Sequence, residues 1–402
     1  MQNAVRCFIN RTPFTERPTA SLAPFSHREL SRALAFHRSM PDYAPTPLHA
    51  LPALSRNLGV ESVHVKDESQ RFGLKAFKAL GSAHAMARHI AERLGKDIGE
   101  LPFAVMAGEA VREEIGEITF VTATDGNHGR GVAWMARRLR QKAVVYLPGG
   151  SSPERLDAIR REGARAEIVD MNYDEAVRMA ARRARERGWT IVQDTAWPGY
   201  EKIPLWIMQG YGTLMLEALE QLRQRPPTHV FAQAGVGSFA GMAQGMLAAA
   251  HGENRPRVIV AEARAADCLY RSAVSEKGWA VPVGGDLQTL MAGLACGEAN
   301  PIAWELLRDY ASAFASCTDS VALLGMRLLG RPLPGDPPIV SGESGAVTAG
   351  LLALLMRSPD MAQTRSQLAL DENSRVLLIS TEGDTDPRRY REIVEDERSE
   401  ER

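Results

Sequence analysis

The chain has 402 residues, 45% of them hydrophobic and 24% charged, with a formal net charge of -1. That length and apolar content suffice to bury a sizeable core in one or two domains, and the balanced charge argues against a nucleic-acid partner. Neither the first thirty residues nor any later stretch carries a signal-like or membrane-spanning apolar run, so a cytoplasmic protein with no membrane partner is expected.

In chain order, strand-like runs are predicted near Val63, Ile118, Ala143 to Leu147, Ala166 to Val169, Thr190 to Gln193, Val230 to Gln233, Val258 to Glu262 and Val376 to Ile379, with helical patterns between them. The alternation predicts an α/β protein whose parallel-rich, twisted sheets are flanked by helices. Arg178 to Arg187 reads as a solvated helix face, Arg331 to Pro338 as an ordered connection and Glu392 to Arg402 as a fraying end. Cys7, Cys268, Cys296 and Cys317 show no metal-ligand spacing, so reduced thiols and no metal are expected, with a Cys268–Cys296 pairing left open.

Four strand ends carry chemistry. After the Val63 strand, the run from Val65 to Gly81 leads into a helix predicted over Phe77 to Leu94, and Lys78 stands in its first turn beside the apolar ring of Phe77. A partly desolvated lysine keeps a neutral fraction able to attack an aldehyde, so Lys78 is the leading Schiff-base candidate and Lys75, placed in the loop, the second. Thr122 to Gly131 forms a second strand, turn and helix, in which Asn127 can donate to a phenolate oxygen while the Thr124 hydroxyl and the turn amides can hold a carboxylate. Ala234 to Gly241 is a glycine-rich turn feeding a helix and can present backbone amides to a phosphate. Arg375 to Pro387 ends a buried-type strand in hydroxyls and carboxylates. In open parallel sheets such carboxyl ends line the ligand crevice.

The sequence resembles the fold type II enzymes that depend on pyridoxal phosphate (PLP), and among them most closely the diaminopropionate ammonia-lyases. The resemblance rests on Ala76-Phe77-Lys78-Ala79-Leu80-Gly81, Thr124-Asp125-Gly126-Asn127-His128-Gly129, Gln193-Asp194-Thr195-Ala196-Trp197, Gln233 to Ser238, Ser341 to Ala346 and Ser380 to Pro387, which occur in family order from about residue 40 to about residue 395. It implies a large PLP-binding domain, residues 1–86 and 198–402, and a small domain, residues 87–197, that closes over an amino acid substrate in the cleft between them. It also implies a homodimer.

Carried residue by residue, the resemblance gives Lys78 the cofactor as an internal aldimine, puts Asn127 near the ring oxygen and Gly235, Val236, Gly237 and Ser238 on the phosphate, and sets the Ser380 hydroxyl at the pyridine nitrogen. A hydroxyl there does not force protonation of the ring and suits β-elimination. Glu343 and Thr381 join the cofactor site, with contacts the sequence does not fix. Asp125 narrows the substrate, since threonine dehydratases carry a small or hydroxyl residue in that turn. A buried carboxylate needs a cationic partner, which a β-ammonium group supplies, and Asp194 is a second carboxylate for the same purpose. Thr124 and His128 complete the expected substrate site. With Lys78 and Asp125 as bases on opposite faces, both L- and D-2,3-diaminopropionate would yield pyruvate and two ammonia through an aminoacrylate.

Two other readings stay open. One is a serine or threonine dehydratase of the same fold, and the other a non-catalytic PLP-binding protein. Lys75 and Ser82 depart from the pattern, standing where an uncharged residue and a glycine are expected.

Overall fold

The computed structural model describes residues 3–10, 19–124 and 126–395. Its strands are β1 (Val5–Ile9), β2 (Leu48–Ala50), β3 (Ser62–Asp67), β4 (Thr119–Ala123), β5 (Lys142–Leu147), β6 (Arg165–Ile168), β7 (Thr190–Ile191), β8 (His229–Gln233), β9 (Arg257–Ala263), β10 (Ala313–Cys317) and β11 (Arg375–Ser380). They form a seven-stranded sheet in the order β1-β10-β9-β8-β11-β3-β2 and a four-stranded sheet in the order β6-β5-β4-β7.

The small sheet is parallel throughout, and so is the large sheet from β10 to β3. Every residue of β8 and β10 is buried, as strands covered by helices on both faces require. The edge strands β1 and β2 pair antiparallel, which the alternating pattern did not foresee. β2 has only three residues, and β10 is built of Ala-Phe-Ala-Ser-Cys, whose small side chains carry a weak strand signal.

The helix Lys78–Arg93 packs against the helices Asn127–Arg138 and Lys202–Gln221. Two glycines set the second crossing: a Cβ on Gly81 would lie 2.5 Å from the Tyr211 ring, and one on Gly210 would lie 2.5 Å from the Leu80 carbonyl oxygen. Ser82 is accommodated because Gly131 faces its hydroxyl, which bonds the Lys78 and Ala79 carbonyls at 3.3 Å. The helix runs unbroken through residue 87, where the small domain was expected to begin. The arginine-rich helix Tyr173–Arg187 exposes most of its arginines and buries Tyr173, Ala176, Val177, Ala180 and Ala184 against the small sheet. The last described helix is Pro387–Glu395; of the stretch from Glu392 to Arg402 expected to fray, residues 396–402 lie outside the described residues.

The approach to Lys78 is fixed by buried charge. Arg71 makes paired bonds to Glu68 at 2.8 and 2.8 Å and to Glu217 at 2.9 and 2.8 Å, while Lys66 donates to Glu217 at 2.7 Å and to the Thr46 carbonyl at 2.8 Å. Two cations thus meet two carboxylates away from water. The cluster holds the Glu68–Gly73 turn, in which Phe72 has φ +50°; Lys75, two residues beyond it, has φ +58°. Such left-handed backbone costs about 1–3 kcal/mol per residue and persists only where its surroundings over-determine it.

Burial would push the Glu217 carboxyl up, but the hydrogen bonds and charge of Arg71, with Lys66, bring it down to about 2 from an ordinary 4.5. A depressed carboxylate contributes stability above its unfolded value and loses it as pH falls toward the folded one. Glu217→Gln should therefore lower unfolding free energy by about 3–5 kcal/mol near neutral pH, because it leaves buried cations uncompensated. Urea denaturation should show this gap shrinking steadily as pH is lowered below 4.5; a pH-independent gap would mean that packing, not charge, had been lost.

Candidate active site

Five strand ends meet at one cleft, three from the large sheet (β3, β8, β11) and two from the small (β4, β7). Its lining includes Phe77, Lys78, Asn127, Tyr173, Asp194, Gln233, the run Ala234 to Phe239, Cys296, Ser344, Thr381 and Glu382.

Lys78 opens its helix, and its side chain is 16% exposed. The Nζ atom lies 2.6 Å from Asp194 Oδ2, 5.7 Å from the Phe77 ring centre and 6.0 Å from that of Tyr211. Asp194 is buried just beyond β7. Burial pushes its carboxyl up, but the Lys78 charge, then that of His128, and hydrogen bonds from Lys78 and Tyr173 outweigh it and hold it below the usual carboxylate range. Lys75 points elsewhere: its Nζ pairs with Asp384 at 2.7 Å, and its side chain is 42% exposed.

The segment before Lys78 is stitched to the end of β11. Phe77 N–H donates to the Thr381 carbonyl at 3.1 Å, and Gly383 N–H donates to the Lys75 carbonyl at 2.9 Å. Glu382, at the junction, accepts from Asn127 Nδ2 at 2.6 Å through one oxygen and from the Ser344 amide at 3.1 Å through the other. Asn127 is thereby aimed across the cleft. Thr124 organises its turn, its hydroxyl accepting from the Gly126 and Gly129 amides at 2.9 Å each. His128 is buried and gives Nε2–H to the Val192 carbonyl at 2.7 Å. Asp125 lies outside the described residues.

Beyond β8, a Cβ on Gly235 would lie 3.0 Å from the Gly293 carbonyl oxygen and 3.1 Å from Cys296 Sγ, and Gly237 has φ +93°, so this turn needs glycine at both places. Ser238 begins the helix Ser238–His251 and donates to the Asp194 carbonyl at 2.6 Å. Gln233 Nε2 donates to the Ile379 carbonyl at 2.9 Å and to the Thr381 hydroxyl at 2.8 Å, leaving its Oε1 a buried acceptor with no hydrogen-bond partner among the described residues. Ser380 bonds Ser341 at 2.8 Å, hydroxyl to hydroxyl. Glu343 lies 3.5 Å from Arg389, and burial, then the Glu382 charge, push its carboxyl upward. The four cysteines carry no disulfide.

Sequence reasoning singled out Lys78, Asn127, Asp194 and the glycine turn, which meet here. It missed Tyr173, Gln193, Gln233 and Glu382 as site residues. The inward face of the Tyr173–Arg187 helix shows as apolar residues three and four apart, but nothing local tells that Tyr173 reaches Asp194, 21 residues on.

The chain belongs to the family of pyridoxal-phosphate dependent enzymes, whose model matches residues 40–381. It is 53% identical over 370 residues to a diaminopropionate ammonia-lyase of Salmonella typhimurium, covering 91% of this chain and 92% of that one. It is 52% identical over 373 residues to the Escherichia coli K12 enzyme of the same name, covering 92% of each. Crystal structures of the Escherichia coli enzyme superpose with TM-scores of 0.89 in complex with D-serine and 0.88 with an aminoacrylate-PLP azomethine reaction intermediate; each is 48% identical and covers 97% of this chain and 96% of that one. Within the family, the chain is thus placed among the diaminopropionate ammonia-lyases, carbon-nitrogen lyases of fold type II.

The residues present fit pyridoxal phosphate. A lysine faces a cleft walled by aromatic rings, a glycine cradle leads into a helix whose N-cap Gly237 offers no side-chain cap, and Gln233 Oε1 is left as a buried acceptor. Borohydride reduction of the loaded protein, followed by peptide mapping, should place the cofactor on Lys78. Lys78→Ala should abolish labelling and Lys75→Ala retain it, whereas a label at residue 75 would overturn the assignment.

Proposed function

We propose that this chain catalyses the α,β-elimination of 2,3-diaminopropionate, in both L and D forms, to pyruvate and two ammonia. The observation that carries this reading is the contact of 2.6 Å between half-buried Lys78 and buried Asp194. A buried carboxylate is tolerated when a cation faces it. When Lys78 is engaged elsewhere, a substrate bearing a second ammonium group can take its place as counter-ion.

Pyridoxal phosphate, when bound, supplies the electron sink that makes an amino acid α-proton removable. Lys78 takes that proton on one face of the substrate. Asp194 holds the β-ammonium group, and Asn127 and the amides of Gly235, Val236, Gly237 and Ser238 orient the cofactor. Ser380, Thr381 and Glu343 border it from the β11 side, and Thr124 and His128 shape the turn that carries Asp125. Phe77 and Tyr211 keep water from the amine. Asp125 serves as the base on the opposite face, which is what admits the second enantiomer. The same reading takes the enzyme to be a cytoplasmic homodimer, as the resemblance implies.

The PLP-loaded protein, incubated separately with L- and D-2,3-diaminopropionate, L-serine and L-threonine, should release pyruvate fastest from diaminopropionate, with two ammonia for each pyruvate. Faster release of keto acid from the hydroxy amino acids would make it a dehydratase. Asp125→Asn should reduce turnover of the D form far more than that of the L form; equal losses would assign the carboxylate to binding.

A further inference from the structure

Behind Asp194 lies a hydrogen-bond chain that the reaction scheme above does not use. Gln193 is fully buried, and its Oε1 accepts from the Thr122 hydroxyl at 2.9 Å and from the Ala123 amide at 3.0 Å. Those two donors fix the orientation of the side-chain amide. Its Nε2 therefore donates to the Ala123 carbonyl at 2.9 Å, to the Tyr173 oxygen at 3.0 Å and to Asp194 Oδ1 at 3.3 Å. Tyr173, whose oxygen accepts from Gln193, turns its own proton onto Asp194 Oδ1 at 3.0 Å. One oxygen of the carboxylate is thus filled by two donors, while the other, Oδ2, faces Lys78.

We propose that Tyr173 and Gln193 are positioning residues that set the substrate class, by holding Asp194 as a fixed acceptor that receives a β-ammonium group and gives a β-hydroxyl no proton with which to leave. This inference rests on the diaminopropionate reading. The chemistry of departure supplies the reason. When the bond from Cβ to a β-ammonium breaks, its electron pair stays on nitrogen, ammonia leaves neutral, and the pair from Cα forms the new double bond. No further proton is needed. A hydroxyl must gain a proton to leave as water, and a carboxylate whose surroundings are all donors has none to give. Among the described residues, the titratable groups facing Asp194 are Lys78, His128, Tyr173 and Tyr200, each from a different segment of the chain. Of the two tyrosines, Tyr173 is the one that bonds the carboxylate, and removing its hydroxyl oxygen deletes that bond alone from Asp194.

The test compares the holoenzyme with Tyr173→Phe and Thr122→Val on 2,3-diaminopropionate and L-serine from neutral pH down through the carboxylate range. A hydrogen bond to a charged group is worth about 1.5–3 kcal/mol, so in Tyr173→Phe the ratio of kcat/KM for diaminopropionate to that for serine should fall by about tenfold or more. The loss should sit mainly in KM for diaminopropionate, and the acid limb of the diaminopropionate profile should move to higher pH. Thr122→Val, which loosens Gln193 without touching Asp194, should shift the ratio the same way by less. As a readout independent of turnover, calorimetric binding of 3-aminopropionate should weaken in both variants.

Equal losses for the two substrates with an unmoved acid limb would reduce Tyr173 to a packing role and overturn the proposal. If Tyr173→Phe fails to retain cofactor absorbance, Thr122→Val decides the matter alone. A wild-type protein inactive on diaminopropionate would sink the functional reading itself, an outcome distinct from failure of this one.

Discussion

The half-buried contact between Lys78 and Asp194 is the interaction on which the cleft depends. Each group is costly to bury alone, and each is tolerated because the other lies 2.6 Å away. Lys78 comes from a helix on the large-sheet side, and Asp194 from the end of the small sheet. Their pairing therefore ties the two sheets together across the cleft. Ser238, whose hydroxyl is bound to the Asp194 carbonyl, adds the glycine turn to the same junction.

Around that pair, the protein spends polar groups on rigidity. The cluster of Lys66, Arg71, Glu68 and Glu217 fixes the turn before Lys78, and Gln233 and Glu382 fix the end of β11 beside it. Both sets are buried and bonded chiefly to groups distant in sequence, a pattern that gives one geometry instead of an ensemble. Replacing such clusters with apolar residues of equal volume could raise stability, so their value here lies in placement. A lysine with the role proposed for Lys78 must meet its cofactor and its proton from defined directions, and a loose turn would not supply them.

Much of the fold was legible because parallel strands buried on both faces read as short apolar runs between helical patterns. The strands that escaped notice were those where that signal fails: β1 and β2 at the edges, and β10 with its small side chains. At the site, Lys78 stood out over Lys75 because one opens a helix and the other sits in the loop. The structure gives a second reason, since Lys75 takes a left-handed backbone and pairs with Asp384 away from the cleft. His128 and Thr124 were legible as residues of a turn, and their bonds to Val192 and to the Gly126 and Gly129 amides show what they hold.

Taken alone, the sequence determined the element types, the lysine, the glycine turn and the polar strand ends, because each is written in neighbouring residues whose backbone preferences and periodicity are local. Tertiary structure alone decided which groups meet. Lys78 and Asp194 are 116 residues apart, Asn127 and Glu382 are 255 apart, and Arg71 and Glu217 are 146 apart. Nothing local specifies such pairs; they exist because two sheets, packed through shared helices, bring distant strand ends within hydrogen-bonding distance, and burial then makes any other arrangement of those charges costly.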